Sequence, residues 1–530
     1  MQKEILESCR VLEINLSLQH IHFPHVLDDA ANAKRRFAFE DLFLLQLNNI
    51  KTRLELAKEK APALTTTQED IDAMLKRLPF TLTSSQKQSL QEIISDIANT
   101  RPMNRLLQGD VGSGKTFIAA LAAIVAAKYG YQAAFMAPTE VLAAQHYMTF
   151  TKTFGALQIP IGLLTSAGVK VWYGEGLERE LKKAELKNLV KLGEVKIVIG
   201  THALIQKSVE MPKLGLAIVD EQHRFGVRER AALLGTGRAL TPHFLSMSAT
   251  PIPRTLTLTI FGDLDLSVIT ELPEGRKAII TKVVAPENRN KAYGFILEHI
   301  KKGRQAFVVC PRIEHVEAVN EAQEKALSLF ASGWNEVKAV KDEYERLTKK
   351  VFPGLRIAML HGKMKAKEKA EVMGNFVAKK LDILVSTSVI EVGVDVPNAS
   401  IMLIEGADRF GLAQLYQFRG RVGRGAHQSF CLLFTDSSSD ATHKRLQSLI
   451  DAKNAFELAE KDLAIRGPGE FLGQSQTGLP DIAMDALKNM ELVKMARNAA
   501  IQIIKNDPTI KAYPALRARF ELFQKKIHLE

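Results

Sequence analysis

Cysteine is scarce in this sequence: 530 residues contain three, Cys9, Cys310 and Cys431, far apart along the chain. None has metal-ligand spacing, and two sit in apolar runs (AFVVC, FCLLF), so neither a metal site built on cysteine nor a disulfide framework is expected. No apolar run approaches the ~18–20 residues that span a bilayer, which excludes a helical membrane protein. The start, MQKEILESCRVLEINL, carries acids early and lacks the basic-then-apolar order of a signal peptide. A cytoplasmic location is therefore expected. Short repeats and low-complexity tracts are absent as well.

What remains is ordinary globular composition, 46% hydrophobic and 25% charged. At ~100–200 residues per domain, the length suggests three or four domains. The formal net charge of +12 suits a polyanionic partner, because Lys and Arg displace condensed counterions from a phosphate backbone. Many soluble proteins are equally basic, so charge alone does not decide.

Residues 1–65 read as helical, since AKRRFAFEDLFLLQLNNIKTRLELAKEK has apolar residues at three-to-four spacing and no breakers. From 66 to 272 short apolar runs (AAFMAP, VKIVIG, LGLAIVD, HFLSMSAT) alternate with amphipathic stretches, as buried parallel strands alternate with helices. PEGR at 273–276 reads as a linker. A second alternating series (QAFVVC, LRIAML, LDILVST, SIMLIE, SFCLLF) fills 273–440, and helices are expected over 441–530. The stretch 318–352 is polar and reads as helical without evident chemistry.

Gly109, Gly112, Ser113, Gly114, Lys115 and Thr116 lie in GDVGSGKT, which matches G-x-x-x-x-G-K-[ST] between a short apolar run and a helix-like stretch. Glycines let backbone N–H groups converge on phosphate oxygens, and the helix N-terminus adds partial positive charge. Lys115 is expected to reach the β/γ-phosphates and Thr116 to hold Mg²⁺. About a hundred residues on, the apolar run LGLAIV ends in Asp220-Glu221-Gln222-His223. Acids at the C-terminal edge of a parallel strand sit where such sheets bind ligands. Asp220 would complete the Mg²⁺ shell, and Glu221 would orient and deprotonate the attacking water.

These features resemble those of superfamily 2 helicases. DEQH resembles their D-E-x-H box, and Ser248-Ala249-Thr250 resembles the S-A-T motif that couples hydrolysis to nucleic-acid movement, with His223 as its link. FTLTSSQ resembles their Q motif, which implies that Phe80 and Gln86 bind adenine; read alone, Gln86 is a polar helix-start residue. Gln417–Gly425 resembles motif VI, with Arg419, Arg421 and Arg424 spaced by glycines. Arg421 and Arg424 are the expected arginine fingers across a cleft from Lys115, because guanidinium stays charged while phosphoryl charge develops. STSVIEVGVDVP resembles motif V, which places Thr387 near the strand and Asp395 near the ribose or a finger. APTE and GTHA resemble strand-contacting motifs, which implies DNA contacts from Pro138, Thr139, Thr201 and His202.

From about residue 35 onward the chain resembles the RecG family, through LLQGDVGSGKT, MAPTEVLAAQH, GTHALIQ, DEQHRFGV and MSATPIPRTL. FELAEKDLAIRGPGEFLGQSQTG resembles the translocation hairpin that this family shares with the transcription-repair coupling factor, with Arg466 and Gln474 as expected DNA contacts. The implied fold class is α/β: two tandem RecA-like parallel-sheet domains, 66–272 and 273–440, with N- and C-terminal helical regions. The implied activity is ATP-dependent, Mg²⁺-requiring translocation on branched duplex DNA, forks and Holliday junctions, without a membrane and with the chain as a monomer. RecG proteins also carry an N-terminal OB-fold wedge, and nothing before residue 35 is long enough for one. Either the chain is a fragment or the wedge is absent; residues 1–65 then read as a remnant linker, and ATPase activity with weak fork recognition is expected. Two alternatives stay open: a fragment of the coupling factor, and a non-catalytic nucleic-acid-binding protein with a degenerate ATP site.

Overall fold

In the computed structural model, residues 3–528 are described apart from 77, 79, 207–208, 222–238, 250–261, 263, 274–276, 312–338, 388–395, 424, 426, 453, 467–485 and 488. The chain opens with α1 (Lys3–Ser8), α2 (Ile14–His22) and the long α3 (Leu27–Leu56). Helix ends soon after, because Ala61 precedes Pro62 and a residue before proline is pushed out of the α region. This shortens the helical reading of 1–65: residues 60–64 run along the first sheet domain instead. Ala61 N–H donates to Thr100 O and Leu64 N–H to Ile97 O, both at 2.8 Å, and Thr241 N–H donates to Lys60 O at 2.8 Å. The buried His243 ring bridges Pro62 O (2.7 Å) and Met103 N–H (3.0 Å).

The first lobe then forms α4 (Gln68–Leu75), α5 (Ser84–Ile97), β1 (Asn104–Gly109), α6 (Lys115–Lys128), β2 (Gln132–Met136) and α7 (Glu140–Phe154). β3 (Ile161–Leu164), β4 (Val169–Gly174), β5 (Leu177–Glu180), α8 (Lys183–Leu192) and β6 (Ile197–Gly200) follow. The lobe closes with β7 (Leu214–Val219), β8 (His243–Ser248) and β9 (Asp265–Ile269). The nine-stranded order is β5-β4-β3-β6-β2-β7-β8-β1-β9. Its centre is parallel, and β2 and β7 are buried along their whole length, as the apolar runs require. The antiparallel β4–β5 hairpin is not among the sequence expectations. Its signal is the alternation in VKVWY before a two-residue turn, Glu175-Gly176, in which both φ angles are positive (51° and 81°).

The second lobe contains β10 (Ile280–Val284), α9 (Arg289–Lys301), β11 (Gln305–Val309), β12 (Ile357–Leu360), α10 (Ala366–Val377), β13 (Ile383–Ser386) and β14 (Ala399–Ile404). α11 (Leu412–Arg419) and β15 (Phe430–Phe434) complete it. The six strands pair in parallel in the order β10-β15-β14-β11-β13-β12. Of the polar stretch 318–352, residues up to 338 lie outside the described set, and 339–351 are helical.

α12 (Asp440–Asp451), α13 (Ala455–Arg466), α14 (Met490–Asn506) and α15 (Pro514–His528) follow. Leu446, Leu449, Ala455 and Leu458 belong to the second lobe's core, so that core extends past residue 440 into α13. Leu463 further along α13 enters a different core, built from α1, α3, α14 and α15. The two terminal segments, separate in sequence, thus bury their apolar faces against each other. Arg53 near the end of α3 also pairs with Asp265 of β9 at 2.7 Å.

Candidate nucleotide site between the lobes

Sheet order places the ends of β7, β8 and β1 side by side, so the loops after them share one edge. β1 runs into the glycine loop. Gly112 (φ 76°) and Gly114 (φ 91°) adopt left-handed backbone, which glycine takes without steric cost. A Cβ on Gly114 would lie 2.5 Å from Gln86 Nε2, so a larger residue is excluded there on space as well as on φ. Ser113 is fully buried and its hydroxyl has no hydrogen-bond partner. Lys115 opens α6, and its Nζ donates to Gly109 O and Asp110 O, each at 2.8 Å. Burial pushes the Lys115 amine down; Glu221, Asp220 and Asp110 oppose this, and the charge of Arg421 adds to it. Thr116 follows, half-buried, in the first turn of α6.

Asp220 and Glu221 cap β7, 7% and 6% exposed. Asp220 N–H donates to Met136 O at 2.9 Å, which extends the β2–β7 ladder by one bond. One Asp220 carboxylate oxygen accepts the Glu221 N–H at 3.0 Å, and the other meets His146 Nε2 at 2.8 Å. Glu221 holds φ 53°, a left-handed conformation that non-glycine residues adopt uncommonly and that concentrates at functional sites. Its Oε2 accepts the Ala249 N–H at 3.3 Å, joining the acid pair to the segment after β8. Burial raises the Glu221 carboxyl above the usual range, and the Asp220 charge raises it further. Lys115, the Ala249 N–H and Arg421 pull the other way.

The second lobe meets this edge through α11 and the residues after it. The Tyr416 hydroxyl donates to the Asp110 carboxylate across the cleft. A Cβ on Gly420 would lie 2.8 Å from Val111 Cβ, so this close approach of the two chains requires glycine. Arg421 is 6% exposed, and its charge acts on both Lys115 and Glu221, placing it on the cleft side. Arg419 is directed elsewhere: its guanidinium lies over the Tyr416 ring at 4.3 Å and donates to Leu449 O at 2.9 Å.

The remaining candidates are distributed as follows. Gln86 is 2% exposed and forms a capping box with Thr83; its Oε1 accepts the Thr83 N–H (2.8 Å) and its Nε2 donates to Ser113 O (2.7 Å). Here its amide ties α5 to the glycine loop. Phe80 packs edge-on to Phe117 with centroids 4.8 Å apart. A groove of 710 Å³ between α4 and α5 is lined by Ile71, Leu75, Phe80, Leu82, Leu90 and Ile94. Ser248 ends β8 in register with Gln108 of β1. Pro138 and Thr139 follow β2, and Thr201 and His202 follow the adjacent β6, so the four share one rim. The Thr139 Oγ1 accepts the Leu142 N–H at 3.3 Å and caps α7. Thr387 directly follows β13 in the other lobe and is fully buried. His223, Thr250, Asp395, Arg424 and Gln474 lie outside the described residues, as does the side chain of Arg466, the last residue of α13.

Sequence reasoning missed His146, Tyr416 and the Gly420–Val111 contact. His146 had a faint signal, a histidine closing MAPTEVLAAQH on the buried side of α7; Tyr416 and Gly420 had none beyond their place in the arginine motif.

The residues fit a magnesium-bound triphosphate. The buried Ser113 hydroxyl inside the loop, left-handed glycines and a lysine held by two backbone carbonyls form a cradle for phosphate oxygens. Thr116 and Asp220 offer the hard oxygen ligands that magnesium takes. Among the described residues no cluster of three or more His, Cys, Asp or Glu could hold a metal without a nucleotide, and no helix is long and apolar enough to cross a membrane.

Residues 83–259 match the DEAD/DEAH box helicase family, 289–426 the helicase conserved C-terminal domain, and 452–525 the C-terminal part of domain 3 of the ATP-dependent DNA helicase RecG. The chain is 43% identical over 521 residues to the ATP-dependent DNA helicase RecG of Synechocystis sp., covering 98% of this chain and 59% of that protein. It is 40% identical over 536 residues to that of Streptococcus pneumoniae, covering all of this chain and 75% of that protein. A solved structure of RecG bound to a three-way DNA junction superposes with a TM-score of 0.73 at 37% identity, covering 93% of this chain and 61% of that one. The Synechocystis and Aquifex aeolicus relatives are longer: the chain spans 59% and 63% of their lengths. With two parallel-sheet lobes, this cleft and relatives matched along nearly its whole length, the chain belongs to the RecG family of ATP-dependent DNA helicases.

Proposed function

We propose that this chain converts ATP hydrolysis into movement along branched duplex DNA, serving fork regression, Holliday junction migration and recombinational repair. The observation that carries the reading is the close approach of the lobes at the glycine loop, where Gly420 meets Val111, Tyr416 donates to Asp110, and the next residue is the buried Arg421. Such a group acts only while the lobes are together, which links catalysis to cleft closure.

In this reading Lys115 exchanges the Gly109 and Asp110 carbonyls for the β/γ-phosphates of the substrate. Thr116 and Asp220 hold magnesium, which neutralises phosphate charge when bound. Glu221, its carboxyl raised by burial, has the basicity to take a proton from the attacking water. Arg421 and Arg424 stabilise the phosphoryl charge, and Asp395 meets the ribose or a finger. Gln86 and Phe80 adjoin the adenine. Hydrolysis reaches the strand through His223, Ser248 and Thr250. Pro138, Thr139, Thr201 and His202 line the path of DNA, the buried Thr387 stands behind it in the other lobe, and Arg466 and Gln474 act on the duplex arm. Branched DNA as substrate is supported by the relative solved with a three-way junction and by the net charge of +12. The chain acts as a monomer in the cytoplasm.

The test is the ATPase rate with fork DNA, linear duplex, single strand and RNA side by side. Duplex DNA, forked or linear, is expected to stimulate most and RNA least. Equal stimulation by RNA overturns the DNA assignment, and a Lys115→Ala variant that hydrolyses ATP at the parent rate overturns the site.

A further inference from the structure

Among the described residues, Asp220 has two protein partners on its carboxylate, and one of them comes from outside the glycine loop and the acid strand. His146 Nε2 lies 2.8 Å from Asp220 Oδ2, with the residues 5% and 7% exposed. A buried carboxylate is costly unless paired, so this contact settles how Asp220 is oriented. Facing a carboxylate, Nε2 must carry the hydrogen and donate it. The imidazole is itself held, with its ring 4.7 Å from that of Phe135 on β2, and Phe135 packs in turn on Phe150 at 5.5 Å.

The second observation is where His146 stands. It sits on α7, whose first turn is capped by Thr139 directly after Pro138, the rim assigned to the DNA path. At 1.5 Å per residue, Thr139 and His146 are only about 10 Å apart along one rigid rod. α7 is further tied at both points: Glu140 Oε1 accepts the Ser166 N–H at 3.0 Å, and the Tyr147 hydroxyl donates to Glu178 at 3.0 Å. A shift of the rim therefore moves the donor that orients Asp220.

We infer that His146 is a positioning residue of the nucleotide site, orienting Asp220 toward magnesium and carrying strand engagement at Pro138–Thr139 to that carboxylate. The inference rests on the assignment of Asp220 to the metal. Partners one step behind a metal ligand typically change metal affinity 10–100-fold when removed. They do so without touching the metal.

The experiment measures Mn²⁺ binding by electron paramagnetic resonance with a non-hydrolysable ATP analogue, with and without forked duplex DNA. His146→Phe keeps a ring against Phe135 and removes the donor. It is expected to weaken Mn²⁺ binding about tenfold or more and to abolish the change that DNA produces in the parent, with the native fold retained in circular dichroism. His146→Gln, whose amide nitrogen sits near the Nε2 position, is expected to restore most of both effects. If His146→Phe does not fold, His146→Gln against the shorter His146→Asn makes the same comparison. Mn²⁺ binding unchanged in His146→Phe, or equal in the Gln and Asn variants, overturns the inference. Asp220→Asn serves as control: if it too binds Mn²⁺ with nucleotide like the parent, the metal assignment itself is what fails.

Discussion

The two walls of the cleft are built differently. On the first lobe nearly every group is already held by another of the same lobe: Lys115 on Gly109 and Asp110, Gln86 on Ser113, Asp220 on His146, Glu221 on Ala249. The second lobe presents a guanidinium and a strip of backbone that fits the glycine loop, through Arg421, Gly420 and Tyr416. One wall is organised to bind, and the other to arrive. The difference teaches that variants of the second wall should alter rate more than nucleotide affinity.

The largest expected effect tests this directly. Arg421→Ala should lower kcat of DNA-stimulated ATP hydrolysis by ~10³–10⁵ while nucleotide binding, read by titration calorimetry, changes little; a loss of binding instead would erase the distinction between the walls. Glu221→Gln comes next. It can still accept the Ala249 N–H but cannot take a proton, so kcat should fall by about 10²–10⁴ with binding kept.

Gly420→Ala addresses the backbone contact. The added Cβ meets Val111 at 2.8 Å, and overpacking of this kind costs about 1–3 kcal/mol of lobe apposition, or roughly tenfold in kcat. Val111→Gly in the same chain removes the opposing Cβ, so the double variant should recover most of the rate; failure to recover would locate the defect elsewhere. The smallest effect is expected from Tyr416→Phe, which removes one hydrogen bond to a carboxylate. A few-fold rise in KM or fall in kcat is the expected scale, with the stability of each lobe unaltered in thermal unfolding.

Much of the first wall was legible because it is local. The glycine loop, Lys115 and Thr116 lie in eight consecutive residues, and the acids end an apolar run, so spacing and strand pattern suffice. The capping box of Thr83 and Gln86 is equally local, but the second partner of Gln86, Ser113 O, is 27 residues away and appears only on folding. His146 is 74 residues from Asp220, and Tyr416 is 306 from Asp110. No periodicity reports such distances. The hairpin β4–β5 was hidden for another reason: one of its strands, LERE, is exposed throughout and has no apolar signal.

The domain pattern shows the same division. Apolar runs announce two parallel sheets, because a strand covered on both faces must be apolar throughout. They are silent on α3 and α14, whose apolar faces look alike and unpaired until they meet in one core across more than four hundred residues.

By itself the sequence determined the chemistry on offer: a phosphate loop, two acids, spaced arginines, and strands that had to be buried. Only the tertiary structure decided which arginine turns back onto its own lobe, which histidine holds the aspartate and which glycine lets the lobes touch. Local backbone geometry and apolar patterning act over a few residues and can be read along the chain. Contacts between lobes depend on how whole sheets stack, and that is set by the sum of the packing rather than by any one segment.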